Sequence, residues 1–381
     1  MNNKWNGGIE KKDASLIRKE SALGRLFSSF MEKHNYVNVV LPTLDYADSY
    51  VLNNEFHEMQ NLLKTVAGNG EVLALANDIT AALIAYANNT INRTIKLSAS
   101  KEVVSFFNEG GNACNKFEIG AINYGVETQE YDAEIISDSY EFAKSLGVKS
   151  PKIVIGNTNV FQGLLNMYAG REEKRERLKS IIAGNISSDV DYATSQAING
   201  LKEVEGGNEM IKDLAEKIDN KQSIDGLLNL FEITNILDAY NLKEQYVIKL
   251  KYLGDDDYFN GSVFEILDDD GNIVIKGGRI DCVYGKTQVK CLKATLNVNN
   301  CIALCEQNGL FNDSERRIII GVASSRTAQN VAYKLKCDLV REGMIVDVIY
   351  NAVENVMVNA MQNDKDCMVT YVTENGSIVH S

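Results

Sequence analysis

Residues 252–265 read Tyr-Leu-Gly-Asp-Asp-Asp-Tyr-Phe-Asn-Gly-Ser-Val-Phe-Glu, and Gly277-Gly278-Arg279-Ile280-Asp281 follows shortly after. This combination suits a pocket of substrate size. The rings of Tyr258 and Phe259 can wall a ligand, and Gly277 and Gly278 let one approach the backbone closely. The same stretch is poor in the charges that phosphate chemistry requires. Charge that builds on a phosphorus atom is offset by cations, and guanidinium suits this because it presents fixed bidentate donors. The windows 103–115 and 253–261 contain no arginine at all, while Asp255, Asp256 and Asp257 add negative charge.

Other chemistry-bearing groups are weaker. Only three histidines occur (His34, His57, His380), none in a Cys/His cluster. Cys301 and Cys305 share a helix face, but two thiols without further ligands read as packed cysteines rather than a zinc site. Glu109-Gly-Gly111 is too short for a phosphate cradle and reads as a turn. Gly206-Gly207 reads as a helix break. Asp268-Asp-Asp270 before Gly271 is half a calcium loop, and the hairpin arms around it favour a plain turn. Ser324-Ser325-Arg326 could hold an anion at a helix start, although such residues more often serve as an N-cap.

A chain of 381 residues is too long for one ordinary core and predicts two domains. Its 45% hydrophobic and 24% charged content is that of a globular protein. No apolar run long enough to span a membrane and no secretion signal is expected, and seven unpaired-looking cysteines favour a reducing cytoplasm. A net charge of −13 without a dense Lys/Arg tract argues against nucleic acid as a partner.

The elements that must position the pocket follow from periodicity. Leu16, Leu23, Leu26, Phe27 and Phe30 predict a helix over 15–33, and the β-branched run 36–42 a strand closed by Pro42. Strands are expected at 72–75, 116–120, 152–156 and 245–250. Asp78 caps an alanine-rich helix, and another helix opens at Asp132 and stops at Gly147. Residues 162–242 carry helical spacing only and predict a helical insertion. A hairpin is expected with arms 262–266 and 273–276. Beyond a boundary near 308–313, strands at 318–322, 344–350 and 368–372 alternate with helices over 327–342 and 352–362, which predicts a small parallel α/β unit.

These pieces run in the order of a histidyl-tRNA synthetase. The helix, strand and Pro42 resemble motif 1 of class II synthetases, which forms the dimer interface in that family. Leu75-Ala-Asn-Asp-Ile-Thr80 resembles L-R-P-E/D-x-T, with Asp78 and Thr80 kept and Ala76 at the arginine. Residues 108–112, then Phe117-Glu-Ile-Gly120 and Gly125, resemble motif 2 and the strand after it. Asp132-Ala-Glu134 resembles D-A-E. Tyr258-Phe-Asn-Gly261, Val263-Phe-Glu265 and Gly277-Gly278-Arg279-Ile280-Asp281 resemble Y-Y-T-G, V-F-E and G-G-R-Y-D. The resemblance implies an α+β fold: a class II synthetase-like antiparallel sheet flanked by helices over 1–312, then a shortened anticodon-binding-like α/β domain over 313–381.

The departures carry the functional expectation. The motif 2 arginine falls on Val104, the motif 3 arginine on Asn300 and the histidine-specific arginine on Gly254. A synthetase-like chain without them is similar to the regulatory subunits of short-form ATP phosphoribosyltransferase. That resemblance implies a homodimer that binds and activates a separate catalytic subunit, supports feedback inhibition by histidine, and needs no cofactor or metal. The implied histidine pocket is Asp78, Thr80, Glu118, Tyr258, Phe259, Gly277, Gly278 and Arg279. Asp78 and Glu118 would hold the α-amino group, and Tyr258 and Phe259 would wall the imidazole. Ile122 stands where the family has a glutamate, and no arginine answers the carboxylate, so a collapsed pocket is the competing outcome. The alternative function is a diverged histidyl-tRNA synthetase or amino-acid-activating ligase.

Overall fold

The computed structural model describes residues 4–5, 9–10, 12–52, 62–90, 94–107, 112–168, 204–250, 259–284, 286–311, 317–352 and 367–380. The chain forms two compact units, Met1–Leu310 and Phe311–Ser381.

In the first unit, helix α1 (Ala14–Lys33) starts at Asp13, whose carboxylate accepts the Leu16 N–H at 2.8 Å. Its buried residues, Glu20, Leu23, Gly24, Phe27 and Met31, recur every three or four positions, so one stripe faces the core. Asn35, at φ 66°, then turns the chain out of the helix. The strand expected over 36–42 is only two residues long in the sheet, β1 (Val37–Asn38). After Pro42 the chain enters a separate three-stranded sheet of β2 (Leu44–Tyr46), β3 (Lys64–Val66) and β4 (Val72–Leu75). Helix α2 (Ile79–Thr90) follows.

Among the described residues the main sheet has nine strands. Beyond β1 it comprises β5 (Ile95–Phe107), β6 (Asn112–Tyr124), β7 (Lys152–Asn157), β8 (Glu205–Gly206), β9 (Tyr246–Lys249), β10 (Ser262–Leu267), β11 (Ile273–Tyr284) and β12 (Thr287–Leu296). Their spatial order is β8-β9-β7-β10-β11-β12-β6-β5-β1. All pairs are antiparallel except β9 with β7 and β1 with β5. Strands β5 and β6 pair over their full lengths, from Ile95 opposite Tyr124 to Phe107 opposite Asn112. That is far longer than the strand predicted at 116–120.

Helix α3 (Gln129–Ser145) begins three residues before Asp132, with Thr128 at its N-cap. Phe142 of α3 receives Phe27 and Phe30 of α1 edge-on, with ring centroids 5.1 and 5.3 Å away. The predicted insertion contributes α4 (Thr158–Tyr168), α5 (Glu209–Ala215) and α6 (Lys221–Ala239); residues 169–203 lie outside the described residues. Gly206 does not break a helix. It lies in β8 opposite Ile248, and the neighbouring Glu205–Lys249 ion pair at 3.0 Å ties that edge down. Helix α7 (Val298–Gln307) ends the unit's regular structure.

In the second unit, β13 (Arg317–Val322) lies between β14 (Ile345–Tyr350) and β15 (Cys367–Val372), parallel to both. Helix α8 (Arg326–Arg341) starts at Ser325, which accepts the Ala328 N–H at 3.0 Å. Ala328 and Ala332 of α8 share a core with Ile318, Ile320, Val322 and Val372. An antiparallel edge strand not expected from the sequence, β16 (Ile378–His380), pairs with β15. The helix predicted over 352–362 falls almost wholly outside the described residues.

Candidate functional site

Strand parity places the candidate residues on two different faces of the main sheet. Side chains alternate along a strand, so Glu118, Gly120 and Ile122 of β6 share one face. Register carries that face across the sheet: Gly120 lies opposite Thr295 and Ile122 opposite Lys293 on β12. Lys276 lies opposite Thr295 and Gly278 opposite Lys293 on β11. Ile79, the first residue of α2, sits over Gly120, where an added Cβ would come within 3.3 Å of its side chain.

At one end of this face two carboxylates meet the N-terminus of α2. Asp78 Oδ1 accepts the N–H groups of Thr80 (2.7 Å) and Ala81 (3.0 Å), the cap expected from the sequence. Glu118 Oε2 accepts the Ile79 N–H at 2.8 Å, and Lys116 Nζ lies 2.6 Å from its other oxygen. Unsatisfied N–H groups and the helix dipole favour negative charge there. Burial and the charge of Asp78 push the Glu118 carboxyl above its ordinary value, against the opposing pull of Lys116 and the Ile79 N–H. Burial works to lower the Lys116 ammonium, but Glu118 and Asp78 outweigh it and hold it above its ordinary value. The Thr80 hydroxyl is buried and has no hydrogen-bond partner among the described residues.

Towards the middle of the sheet the same face carries Phe259. Its ring lies over Gly278, where a Cβ would come within 2.9 Å of it. Two ammonium groups lie over this ring, Lys293 Nζ at 5.0 Å and Lys276 Nζ at 5.8 Å from its centroid. On the opposite face the Phe264 ring and the Lys293 carbonyl occupy the space at Gly277. Both glycines therefore admit phenylalanine side chains of the chain itself. Tyr258 lies outside the described residues.

Arg279 does not join this face. Its guanidinium points to the start of α3, donating from Nη1 to the Val126 carbonyl at 2.8 Å and from Nη2 to Asp132 and, at 3.5 Å, to the Thr128 carbonyl. The other Asp132 oxygen accepts the Ser262 hydroxyl. Burial raises the Asp132 carboxyl above its ordinary value even though Arg279 and Ser262 oppose the shift. The structure thus brings together Asp78, Thr80 and Glu118, and separately Phe259 with the glycine pair, while Arg279 braces the frame from behind.

Positions where the sequence suggests lost arginines have structural roles. The Val104 N–H donates to the Ala76 carbonyl at 2.9 Å. Asn300 donates to the Ile273 carbonyl at 2.8 Å and anchors the start of α7. Ile122 is fully buried in the core cluster that contains Ile79 and Phe259. Gly254 lies outside the described residues. Cys301 and Cys305 are buried, and burial pushes the Cys305 thiol up to about 11, so both remain packed thiols. Among the described residues no group of three or more His, Cys, Asp or Glu is arranged to hold a metal. Asp268 closes the hairpin turn by accepting the N–H groups of Asp270 and Asn272. The anion position at Ser324 is taken by Glu374, whose carboxylate accepts from the Ser324 N–H and hydroxyl. The three lysines on the face that carries Glu118, Lys116, Lys276 and Lys293, are what the sequence reading missed. Period-2 alternation in 273–284 and 287–296 is the signal that would have found the last two.

Residues 8–295 match the family model described as histidyl-tRNA synthetase. Among curated relatives, the ATP phosphoribosyltransferase regulatory subunit of Clostridium acetobutylicum is 24% identical over 358 residues, covering 87% of each chain. The protein of the same name from Ruminiclostridium cellulolyticum is 25% identical over 307 residues, 76% of this chain and 73% of the relative. A solved structure described as an ATP phosphoribosyltransferase regulatory subunit/histidyl-tRNA synthetase from Bacillus halodurans superposes with a TM-score of 0.73 at 18% identity, covering 98% of this chain and 99% of that one. The histidyl-tRNA synthetase of Nostoc sp. gives 0.71 at 15% identity, covering 100% and 96%. The fold is class II synthetase-like.

Proposed function

Because the chain belongs to the histidyl-tRNA synthetase family, we propose that it is a member that has left catalysis and acts as the regulatory subunit of an ATP phosphoribosyltransferase in histidine biosynthesis. In this role it activates a separate short catalytic subunit and supports feedback inhibition by histidine. The observation that carries the reading is that relatives matching 87% and 76% of the chain bear this name. The residues at the arginine positions agree with it. Removing one preorganised donor from an oxyanion site costs about 3 kcal/mol of transition-state stabilisation. Val104 and Asn300 bring no cation where the family's motif 2 and motif 3 arginines fall. An amino-acid-activating ligase remains the second reading, since Lys116, Lys276 and Lys293 put other cations on the ligand-facing side.

The effector pocket of this reading is Asp78, Thr80 and Glu118 with Phe259 and Tyr258 as walls, on a frame held by Gly277, Gly278 and Arg279. Residues 313–381 form the shortened anticodon-binding-like domain. The compartment is the cytoplasm; among the described residues no helix is long and apolar enough to cross a membrane.

The homodimer of this reading forms through α1 and β1. Ile17, Leu26 and Val37 are exposed there, and Val40 is 92% exposed just after the edge strand, an apolar arrangement that suits a partner surface. Light scattering is expected to give twice the 42.2 kDa chain mass for the wild type, and a shift towards the monomer for Val40→Glu. An unchanged mass in that variant would remove this region as the interface. Adding the short catalytic subunit from the same source is expected to give a larger species by the same measurement, and two non-interacting proteins would contradict the regulatory reading.

A further inference from the structure

We infer that Lys116 is a built-in stand-in for the ammonium group of the amino-acid effector: its own ammonium occupies the Glu118 end of the pocket, and the effector binds by displacing it. The inference rests on the reading that Asp78, Thr80 and Glu118 belong to the effector pocket, and it adds the competition that regulates entry to that pocket.

The fold closes the face on one side of Glu118 and opens it on the other. Ile79, fully buried, packs over Gly120, and Phe259, 3% exposed, packs over Gly278, so the middle of the sheet is covered. Strand β12 pairs with β6 only from Gly120 onwards, and Lys116 lies beyond the end of that pairing, on the same face as Glu118. An ammonium therefore approaches the Glu118 carboxylate from this outer end. Oε2 is already turned to the start of α2, where it accepts the Ile79 N–H at 2.8 Å. The other oxygen meets Lys116 Nζ at 2.6 Å. Lys101 stands directly opposite Glu118 on β5, but its ammonium donates to the Pro42 carbonyl at 2.8 Å.

The two members of the pair are held with unequal firmness. The Glu118 side chain is 15% exposed and that of Lys116 55% exposed. Glu118 is fixed by its burial and by the Ile79 N–H. The lysine stem lies more than half in water, so it can swing away and be hydrated at small cost. Its departure leaves the Asp78 and Glu118 carboxylates together at the start of α2. Burial and the charge of Asp78 already push the Glu118 carboxyl above its ordinary value, so the arrangement calls for another cation in place of the lysine. The position attracts cations strongly enough to act on Lys116 itself. Burial works to lower that ammonium, yet Glu118 and Asp78 hold it above its ordinary value. The α-ammonium of a free amino acid offers the same three donors and the same single charge as the lysine head group, so one can take the place of the other.

The test is calorimetric titration of the full chain, alone and with the catalytic subunit, with L-histidine and with imidazole propionate, which keeps the ring and the carboxylate but lacks the ammonium. Lys116→Met is expected to bind histidine about two- to fivefold more tightly than the wild type, the fold-change that corresponds to the loss of a competing exposed ion pair. Lys116→Arg keeps the charge and is expected to show no gain. Imidazole propionate cannot replace the lysine and is expected to gain nothing from either substitution. If Lys116→Met binds histidine no more tightly than the wild type, or if Lys116→Arg gains as much, the stand-in is wrong, and the pocket reading survives provided that Glu118→Gln weakens histidine binding in the same titration. If neither protein nor complex binds histidine, or if Glu118→Gln has no effect, the pocket reading fails and the stand-in falls with it.

Discussion

Arg279→Met is expected to destabilise the Met1–Leu310 unit by about 3–5 kcal/mol, the cost of removing one partner from a buried ion pair. Asp132 is 1% exposed and Arg279 8% exposed, so water cannot replace the missing guanidinium. The substitution leaves the Asp132 carboxylate buried with the Ser262 hydroxyl and a backbone N–H but without the guanidinium that neutralised it. It also strips donors from the Val126 and Thr128 carbonyls, which the guanidinium uses to fix the chain entering α3. The double variant Asp132→Leu/Arg279→Met removes the stranded charge and is expected to recover part of the loss. Urea unfolding followed by circular dichroism measures both. A cost below about 1 kcal/mol for Arg279→Met, the range of an exposed pair, would contradict the brace assigned to this arginine.

Gly277→Ala is expected to cost about 3 kcal/mol, the upper end for overpacking a well-filled core. The added Cβ would lie 2.3 Å from the Lys293 carbonyl oxygen and 2.4 Å from the Phe264 ring. A flexible side chain could swing away from such a contact. The carbonyl cannot, because it belongs to the neighbouring strand β12, so the β11–β12 pairing must open at the row that carries Gly277 and Ala294. The displacement would reach Lys293 and the Phe259 ring, so weaker effector binding is expected together with the lower stability. Thermal unfolding of the variant checks the first, and a melting temperature equal to that of the wild type would show that the strands relax without strain.

Helix α1 was legible because it buries a single stripe. Leu23 and Phe27 of α1 recur at helical spacing and are buried. The C-terminal unit was legible for a similar reason: short apolar strands such as Ile318-Ile-Ile alternate with an amphipathic helix. The long strands were much less so. One face of β5, β6, β11 and β12 carries Lys101, Glu118, Lys276 and Lys293 in positions where a simple core strand would be apolar, so the hydrophobic pattern breaks along that face. At the candidate site, Asp78 was legible as a cap, and its meeting with Glu118 followed from the order of motifs. The separation of Arg279 from the other residues depends on parity within β11, where Gly278 and Arg279 face opposite sides. A motif quoted as a string does not carry that distinction. Of the two lysines over Phe259, Lys293 is hidden because the sequence reading predicts no strand over 287–296, whereas Lys276 is the last residue of the predicted arm 273–276.

Phosphoribosyl transfer to ATP by the short catalytic subunit from the same source, measured with and without this chain and with and without histidine, tests the regulatory function most directly. The account predicts that activity rises when the two proteins are mixed and falls again as histidine is added. An unchanged rate in every combination, together with histidine-dependent ATP–pyrophosphate exchange by this chain alone, would contradict it and return the protein to the synthetases.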